Sequence, residues 1–328
     1  MCREKKDRYP TVLSIAGSDS SGGAGIQADI KTIAANGCYA AAIITAITAQ
    51  HTRGVHLSVP VSPHLLKAQI DAVMTDLTVD AVKIGMIGSR ENLQIIIEAL
   101  RTYRPKHVVY DPVMVATSGH SLMEQGLTDI ICKELMPLVE FVTPNIPEAE
   151  KLIGMKVETL DDMSQAASLL QQTGVANVYL KGGHFARQVG TDLCRLQPFT
   201  KNRHSHRPTP DSLHVDAAVA CCHELIMGLP AVETTNTHGT GCTLSSCLAA
   251  RLALGESPRQ AAIRSKEYIH RAITYGSNIQ TGHGHGPLCH FHQSGNLPLI
   301  SPEGGVHIAC IPAENDLWSL PNAYIEER

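Results

Sequence analysis

The run at 235–246, TNTHGTGCTLSS, places a thiol at the start of a helix built from small residues. Backbone amides in the first turn of a helix have no partners within the helix, and the positive end of the helix dipole attracts anions. We therefore predict that Gly239, Thr240 and Gly241 form an anion hole for a phosphate group. The same field should lower the pKa of Cys242, which would make its thiolate available for chemistry.

Two further segments carry groups suited to a phosphate ligand. Lys181 ends a buried strand and is followed by two glycines, so its ammonium could lie against a polyphosphate. In PNIPEAE, Asn145 precedes a helix whose first turn contains Glu148. These two residues either cap the helix or hold the hydration shell of a Mg²⁺ ion, and the sequence leaves both interpretations open. Asp111, at the end of another strand, is a further candidate for the metal site.

The glycine-rich loop GSDSSGGAGIQAD follows the first strand and opens a helix. It lacks the Gly-Lys-Ser/Thr ending of a P-loop, and its glycines do not have the GxGxxG spacing of a dinucleotide site. A tight strand-to-helix turn is the alternative interpretation. Asp29, one turn into the helix, offers a carboxylate that could accept hydrogen bonds from a small polar ligand.

These segments need a scaffold that brings strand ends together. Short β-branched runs alternate with helical patterns, and the predicted buried strands lie at 11–17, 39–48, 81–85, 107–111, 141–143 and 177–180. Such alternation predicts an α/β fold with a mostly parallel central sheet and helices on both faces. Ligands collect at the carboxyl ends of the strands in such a sheet, which is where the polar segments above lie.

The composition excludes several classes of protein. The chain has 328 residues, 43% of them hydrophobic and 18% charged, with 27 basic and 31 acidic side chains. A net charge of −4 provides no basic field, so we expect no nucleic-acid partner and local geometry must bind any phosphate. No apolar run is long enough to span a bilayer, and the charged start is unlike a signal peptide, so we expect no membrane association and a cytoplasmic location. Ten cysteines without a CxxC pair indicate reduced thiols.

The domain boundaries follow from where this pattern stops. We predict a single domain over 1–292 with an atypical interval at 185–233, followed by an extension at 293–328 that is either an interaction segment or a disordered tail. His283, His285, His290 and His292 crowd into GHGHGPLCHFH. Their spacing lacks the paired geometry of a structural zinc site, so we predict a turn there rather than a metal site.

Taken together, the motifs resemble those of the hydroxymethylpyrimidine/phosphomethylpyrimidine kinases, a ribokinase-like family of thiamine biosynthesis. The segments that carry the resemblance span most of 11–184 and 235–292. They occur in the order IAGSDSSGGAGIQADIKT, ITAITAQHTRGV, VKIGMIGS, YDPVMVATSG, TPNIPEAE, YLKGGH, TNTHGTGCTLSS and KEYI followed by GHGHGP.

The resemblance implies ATP- and Mg²⁺-dependent phosphorylation of the hydroxymethyl group of the pyrimidine, and then of the monophosphate. Matching positions place the pyrimidine among Gly17, Asp29, Gln50, Met86 and Val113. Asp29 and Gln50 would hydrogen-bond the ring nitrogen and amino group, while Met86 and Val113 would sandwich the ring. Some members carry Glu where this chain has Gln50, which bears on the choice of substrate.

The resemblance also assigns the transfer machinery and leaves rival functions open. Many ribokinase-like sugar kinases carry an aspartate base where this chain has Cys242, so Cys242 is expected to be the general base, with Lys181 and Mg²⁺ neutralising phosphate charge. A pyridoxal kinase of the same fold is the nearest rival, and a non-catalytic vitamin-binding regulator is another. The family also suggests a homodimer.

Overall fold

In the computed structural model, the residues that can be described are 7–114, 126–183, 189–197, 223–302, 305–311 and 316–328. Among them a ten-stranded sheet forms the centre of the molecule. Its strands are β1 (Thr11–Asp19), β2 (Tyr39–His51), β3 (Gly54–Pro60), β4 (Ala81–Ile84), β5 (His107–Tyr110), β6 (Phe141–Val142), β7 (Asn177–Gly182), β8 (Val189–Leu196), β9 (His223–Pro230) and β12 (Tyr324–Glu327). A separate hairpin consists of β10 (Asn296–Ile300) and β11 (Val306–Cys310).

The strand order is β12-β9-β8-β7-β6-β5-β4-β1-β2-β3. The six strands from β7 to β2 run parallel, whereas β3 at one edge and β8, β9 and β12 at the other pair antiparallel. The predicted fold class, an α/β fold with a mostly parallel sheet, is therefore confirmed. The carboxyl ends of the parallel strands face the same edge, where β1, β4, β5, β6 and β7 deliver the polar segments found in the sequence.

Helices cover both faces of the sheet. They are α1 (Gly25–Ala35), α2 (Pro63–Asp76), α3 (Arg90–Tyr103), α4 (Thr128–Ile130), α5 (Ile146–Ile153), α6 (Leu160–Gln172), α7 (Thr240–Ala253) and α8 (Pro258–Gly276), with short π and 3₁₀ turns at Ile131–Leu135, Met136–Leu138, His292–Ser294 and Leu317–Ser319. Helices α2, α3, α5 and α6 enclose one hydrophobic core, and α1, α7 and α8 enclose the other. Successive strand residues alternate between the two cores, as Val12 and Leu13 do, because neighbouring side chains of a strand point to opposite faces.

Helix starts behave as their sequences predict. Ser62 caps α2 by accepting from Leu65 N, and Ser257 caps α8 by accepting from Gln260 N. Each serine precedes a proline, which occupies a position where a missing N–H costs nothing. These caps fix where α2 and α8 begin.

The tail requires a correction to the predicted domain boundary. We expected 293–328 to be an extension outside the kinase domain, but β12 pairs antiparallel with β9 from Tyr324↔Gly228 to Glu327↔Leu225. A Cβ at Gly228 would lie 2.2 Å from the Tyr324 ring, so glycine allows the ring to lie against the strand. Trp318, which packs against the α7–α8 core, donates its Nε1–H to Glu267 at 2.5 Å. The end of the chain is thus an edge strand of the main sheet.

The interval at 185–233 is described only in part, as β8 at 189–197 and β9 from residue 223 onward. These two strands form an antiparallel pair beside β7. The segments 185–188 and 198–222, together with His184 of the predicted lysine motif, lie outside the described residues. No helix in the part of the chain that is described is long and apolar enough to span a bilayer.

Candidate active site

Helix α7 begins directly above the carboxyl ends of the parallel strands. Gly239, which precedes it, has a φ of +83°, and a Cβ there would lie 1.9 Å from Gly23 O, so only glycine fits this turn. At Gly241 a Cβ would lie 3.2 Å from Lys181 Nζ and 3.3 Å from Asp111 Oδ2. Of the predicted anion-hole residues, Gly241 therefore lies beside the predicted lysine and the Asp111 carboxylate. The N–H of Thr240 donates to Thr237 O at 3.3 Å.

Lys181 is held between two carboxylates. Its Nζ donates to Asp111 Oδ1 at 3.0 Å and lies 3.8 Å from Glu148 Oε2. Thr143 also donates to Asp111 Oδ1, at 3.1 Å, so β5, β6 and β7 each contribute one group. Burial alone would lower the pKa of Lys181, but the charges of Asp111 and Glu148 outweigh it and raise the pKa. The ammonium is thus charged and positioned to meet an anion above the sheet.

Glu148 is an unusual carboxyl group. Burial raises its pKa to about 7, the Asp111 charge adds to the increase, and Lys181 opposes it. Two acidic groups therefore compete for one ammonium, and at neutral pH Glu148 is partly protonated. A divalent cation beside Asp111 and Glu148 would relieve this competition, since hard cations prefer carboxylate oxygens.

Asn145 and Glu148 also form a reciprocal cap of α5, the other interpretation that the sequence left open. Asn145 Oδ1 accepts from Glu148 N, and Glu148 Oε2 accepts from Asn145 N, both at 2.8 Å. This capping box fixes the helix start. The cap uses Asn145 Oδ1 and Glu148 Oε2, while Asp111 Oδ2 accepts from Ser245 Oγ at 3.4 Å.

Cys242 requires a correction. We expected the helix field to lower the pKa of its thiol, but burial raises the pKa to about 11. Lys83 and the N–H of Gly25 pull the pKa down, whereas Asp29 and Asp111 push it up. Desolvation wins because it penalises the thiolate by more than one helix end stabilises it. At neutral pH Cys242 is therefore a thiol rather than a thiolate.

Asp29, whose carboxylate is predicted to hydrogen-bond the pyrimidine, is fully buried. Its oxygens accept from the Lys83 ammonium at 2.9 Å, from Ser14 at 2.6 Å and from Ser246 at 2.7 Å. Lys83 is fully buried as well. The pair and its serine partners thus link β1, α1, β4 and α7.

The remaining residues predicted to surround the pyrimidine lie at three places in the structure. A Cβ at Gly17 would lie 2.9 Å from Met86 Sδ, so these two residues are in contact. Gln50 lies further along, where its Nε2 is 3.2 Å from His238 Nε2 and Thr48 Oγ1 is 3.2 Å from its Oε1. Val113 follows Asp111 closely, and its N–H donates to Asp111 O at 2.8 Å.

Three residues of the site, Asp19, His238 and Lys83, were missed from the sequence. Asp19 accepts from the N–H groups of Ser21, Gly23 and Ala24, which fixes the glycine-rich loop. It also bonds His238 Nε2 at 2.8 Å and so joins this loop to the turn before α7. The sequence could have indicated Asp19, because it is an acidic residue inside a glycine-rich turn. Lys83 was missed too, although a lysine inside the apolar strand β4 is a recognisable anomaly.

The histidine-rich segment at 283–292 is hydrogen-bonded to the loop at Thr52 and to the turn before α7. The N–H groups of His283 and Gly284 donate to Thr52 Oγ1 at 3.2 and 3.1 Å, and His285 N donates to Thr52 O at 2.9 Å. Asn236 joins the same segment to the turn before α7 by accepting from Gly286 N at 3.1 Å. Within the described part of the chain no group of three or more acidic, histidine or cysteine side chains is arranged to hold a metal.

Comparison with known proteins gives a consistent family assignment. The model of the phosphomethylpyrimidine kinase family matches residues 19–289. A hydroxymethylpyrimidine/phosphomethylpyrimidine kinase of Rhizobium meliloti is 43% identical over 86% of this chain and 97% of its own. The solved phosphomethylpyrimidine kinase of Clostridium difficile 630 is 39% identical, with a TM-score of 0.63 over 80% of this chain and 99% of its own.

A second set of structures is similar in shape but more distant in sequence. The pyridoxal kinase of Staphylococcus aureus in complex with ADP superimposes with a TM-score of 0.72 over 87% of this chain and 94% of its own, at 28% identity. Sequence identity favours the pyrimidine kinases and overall shape favours the pyridoxal kinase, which share one fold. Because the family model covers most of the chain, and because a relative at 43% identity matches nearly end to end, we conclude that this protein belongs to the phosphomethylpyrimidine kinase family.

Proposed function

We propose that the protein transfers the γ-phosphoryl group of ATP to the hydroxymethyl oxygen of 4-amino-5-hydroxymethyl-2-methylpyrimidine, and then phosphorylates the monophosphate to the diphosphate, as a step in thiamine biosynthesis. The observation that carries this proposal is the meeting of Lys181, Asp111 and Gly241 at the start of α7. A buried, charged lysine beside the first turn of a helix is a site for a transferring phosphoryl group.

The chemistry needs position and charge more than covalent participation. The hydroxymethyl oxygen forms a bond to the γ-phosphorus while the bond to the β-phosphate oxygen breaks, and ADP leaves. The amides at 239–241 and the Lys181 ammonium stabilise the negative charge that spreads over the phosphoryl oxygens. Cys242 can take the hydroxyl proton only in its minor thiolate form, since the resting group is a thiol with a pKa of about 11. While Cys242 is a thiol, the hydroxyl proton passes to an oxygen of the transferred phosphoryl group as the phosphorus–oxygen bond forms.

The donor set suits Mg²⁺. Asp111 and Glu148 supply carboxylate oxygens, and burial together with the Asp111 charge raises the pKa of Glu148 to about 7, so a cation there would favour its ionised form. When bound, Mg²⁺ supplies charge neutralisation for the phosphate oxygens. Asn145 is tied into the helix cap, so its contribution is to fix Glu148 rather than to bind the ion itself.

Substrate recognition rests on Gly17, Met86, Gln50 and Val113. Met86 and Val113 provide apolar contact for a flat ring, and Gly17 leaves room beside Met86. Gln50 is half-buried and carries both a donor and an acceptor. Asp29 leaves this set because its oxygens are bonded to Lys83, Ser14 and Ser246, and we assign it to support of α7.

Pyridoxal phosphorylation is the second candidate activity, because the pyridoxal kinase of Staphylococcus aureus has the higher TM-score of the two structures compared. Steady-state kinetics with each substrate decide between them. We expect kcat/KM for the hydroxymethylpyrimidine to exceed that for pyridoxal, and the reverse order would reassign the protein. The homodimer and the cytoplasmic location remain predictions, which size-exclusion chromatography with light scattering and cell fractionation respectively address.

A further inference from the structure

The side-chain amide of Gln50 lies between His238 and Thr48, which determine the positions of its oxygen and nitrogen. One end of the amide is 3.2 Å from His238 Nε2 and the other is 3.2 Å from Thr48 Oγ1. The main chain is fixed as well, because Gln50 N donates to Ser20 Oγ and Ser20 Oγ donates to Gln50 O. The oxygen and nitrogen of an amide have similar sizes, so their hydrogen-bond partners determine which end is which.

His238 must present a hydrogen at Nε2. This nitrogen is 2.8 Å from Asp19 Oδ2. Burial would raise the pKa of Asp19, but the hydrogen bonds from His238 and the loop at 21–24 lower it to about 2, so Asp19 is an ionised acceptor. An ionised carboxylate only accepts, hence Nε2 donates. A nitrogen that carries a hydrogen has no free lone pair, and a Gln50 N–H facing it would set a donor against a donor.

Thr48 favours the same orientation of the amide. Its hydroxyl donates to Ser18 O at 2.8 Å, so its lone pairs remain to accept from Gln50 Nε2. With Oε1 toward His238 and Nε2 toward Thr48, the one hydrogen on His238 Nε2 is shared between Asp19 Oδ2 at 2.8 Å and Gln50 Oε1 at 3.2 Å, and no donor faces a donor. The ring of His238 cannot swing away, because it is almost fully buried against Gly23, where a Cβ would lie 2.3 Å from its Cδ2. The amide then keeps one lone pair on Oε1 and one N–H on Nε2 for a ligand.

We propose that His238 is a specificity-determining residue: held by Asp19, it fixes the Gln50 amide so that the free donor and acceptor match an aminopyrimidine edge and oppose a pyridoxal edge. The inference rests on the proposed function at this site. An aminopyrimidine presents an amino donor beside a ring-nitrogen acceptor. At the corresponding edge pyridoxal presents an aldehyde acceptor beside a hydroxyl donor. An amide that rotates freely can bond a ligand edge with either arrangement of donor and acceptor, whereas a fixed amide can bond only one arrangement.

The test measures substrate preference rather than activity alone. We would determine kcat/KM for the hydroxymethylpyrimidine and for pyridoxal in His238→Met, His238→Gln and His285→Met. His238→Met should lower the pyrimidine-to-pyridoxal ratio about tenfold, which corresponds to one hydrogen bond. His238→Gln retains an N–H donor and should keep the ratio near that of the wild type. His285→Met is the matched control, because this exposed ring bonds Thr235 O, and the ratio should not change.

An unchanged ratio in His238→Met, or an equal loss with both substrates, would overturn the inference. Nitrogen-15 spectra of the histidine rings in the wild-type protein test the underlying geometry without turnover, and a bare His238 Nε2 would also overturn it. If the wild type phosphorylates neither substrate, the proposed function fails. Calorimetric affinities of the same variants for the two ring compounds would then still show whether His238 sets the preference.

Discussion

Replacing Lys83 by methionine should leave the buried carboxylate of Asp29 without its counterion. The side chains of Lys83 and Asp29 are both fully buried, and Nζ lies 2.9 Å from each carboxylate oxygen. Breaking a buried ion pair from one side costs about 3–5 kcal/mol, because the remaining charge cannot be solvated. Native proteins are stable by only about 5–15 kcal/mol, so the loss should be large relative to the total.

The double variant Lys83→Met/Asp29→Asn separates loss of pairing from loss of packing. It removes both charges, while the amide retains groups that can bond Ser14 and Ser246. Replacing a whole buried pair is often close to neutral, so we expect the double variant to recover about half or more of the loss. Lys67→Met is the matched control, since Lys67 pairs with Asp71 on the exposed face of α2.

Urea unfolding followed by circular dichroism gives the midpoint and slope for each variant. We expect a marked fall in the midpoint for Lys83→Met, partial recovery in the double variant and no measurable change for Lys67→Met. If Lys83→Met unfolds at the same urea concentration as Lys67→Met, then the buried pair does not support the fold in the way described.

Three further predictions concern the reaction. Lys181→Ala should lower kcat about 10²-fold or more while calorimetry still detects pyrimidine binding, and full turnover would remove Lys181 from the mechanism. Alkylation of Cys242, monitored by peptide mass spectrometry, should be slow at pH 7 and accelerate as the pH approaches about 11. The Cys242→Ser variant should lose most of its turnover, and fast alkylation at pH 7 or unaltered turnover would contradict these roles. Binding of the preformed Mg²⁺–ATP complex at pH 6 should release protons, because Glu148, with a pKa of about 7, must ionise to meet the cation, and at pH 8 the release should fall. Binding heats of this complex at pH 6 that do not depend on the ionisation enthalpy of the buffer would refute this.

Much of the site was predictable because it depends on the topology of a parallel sheet. Lys181, Asp111 and Asn145 each follow a predicted buried strand, and parallel strands bring such positions to one edge. The glycines before α7 were predictable for a local reason, since a helix start with free amides needs a close approach of the backbone. The sequence alone therefore indicated which residues come together at the carboxyl edge of the sheet.

The corrections arise where burial, rather than local pattern, decides the outcome. Lys83 and Asp29 are 54 positions apart, and only the packed fold shows that each is the other's partner. At Cys242 the helix field and desolvation act in opposite directions on the pKa, and the stronger depends on the packing around the thiol. Strand β12 was missed because it is short and mostly exposed, and its partner β9 lies about a hundred residues earlier in the chain.

A phosphorus NMR time course tests the central claim most directly. The purified protein is incubated with ATP, Mg²⁺ and the hydroxymethylpyrimidine, and a parallel sample contains pyridoxal instead. We predict that a pyrimidine monophosphate signal appears first and is replaced by a diphosphate signal as ADP accumulates. Formation of product only in the pyridoxal sample, or ATP hydrolysis without any phosphorylated pyrimidine, would contradict the proposed two-step kinase.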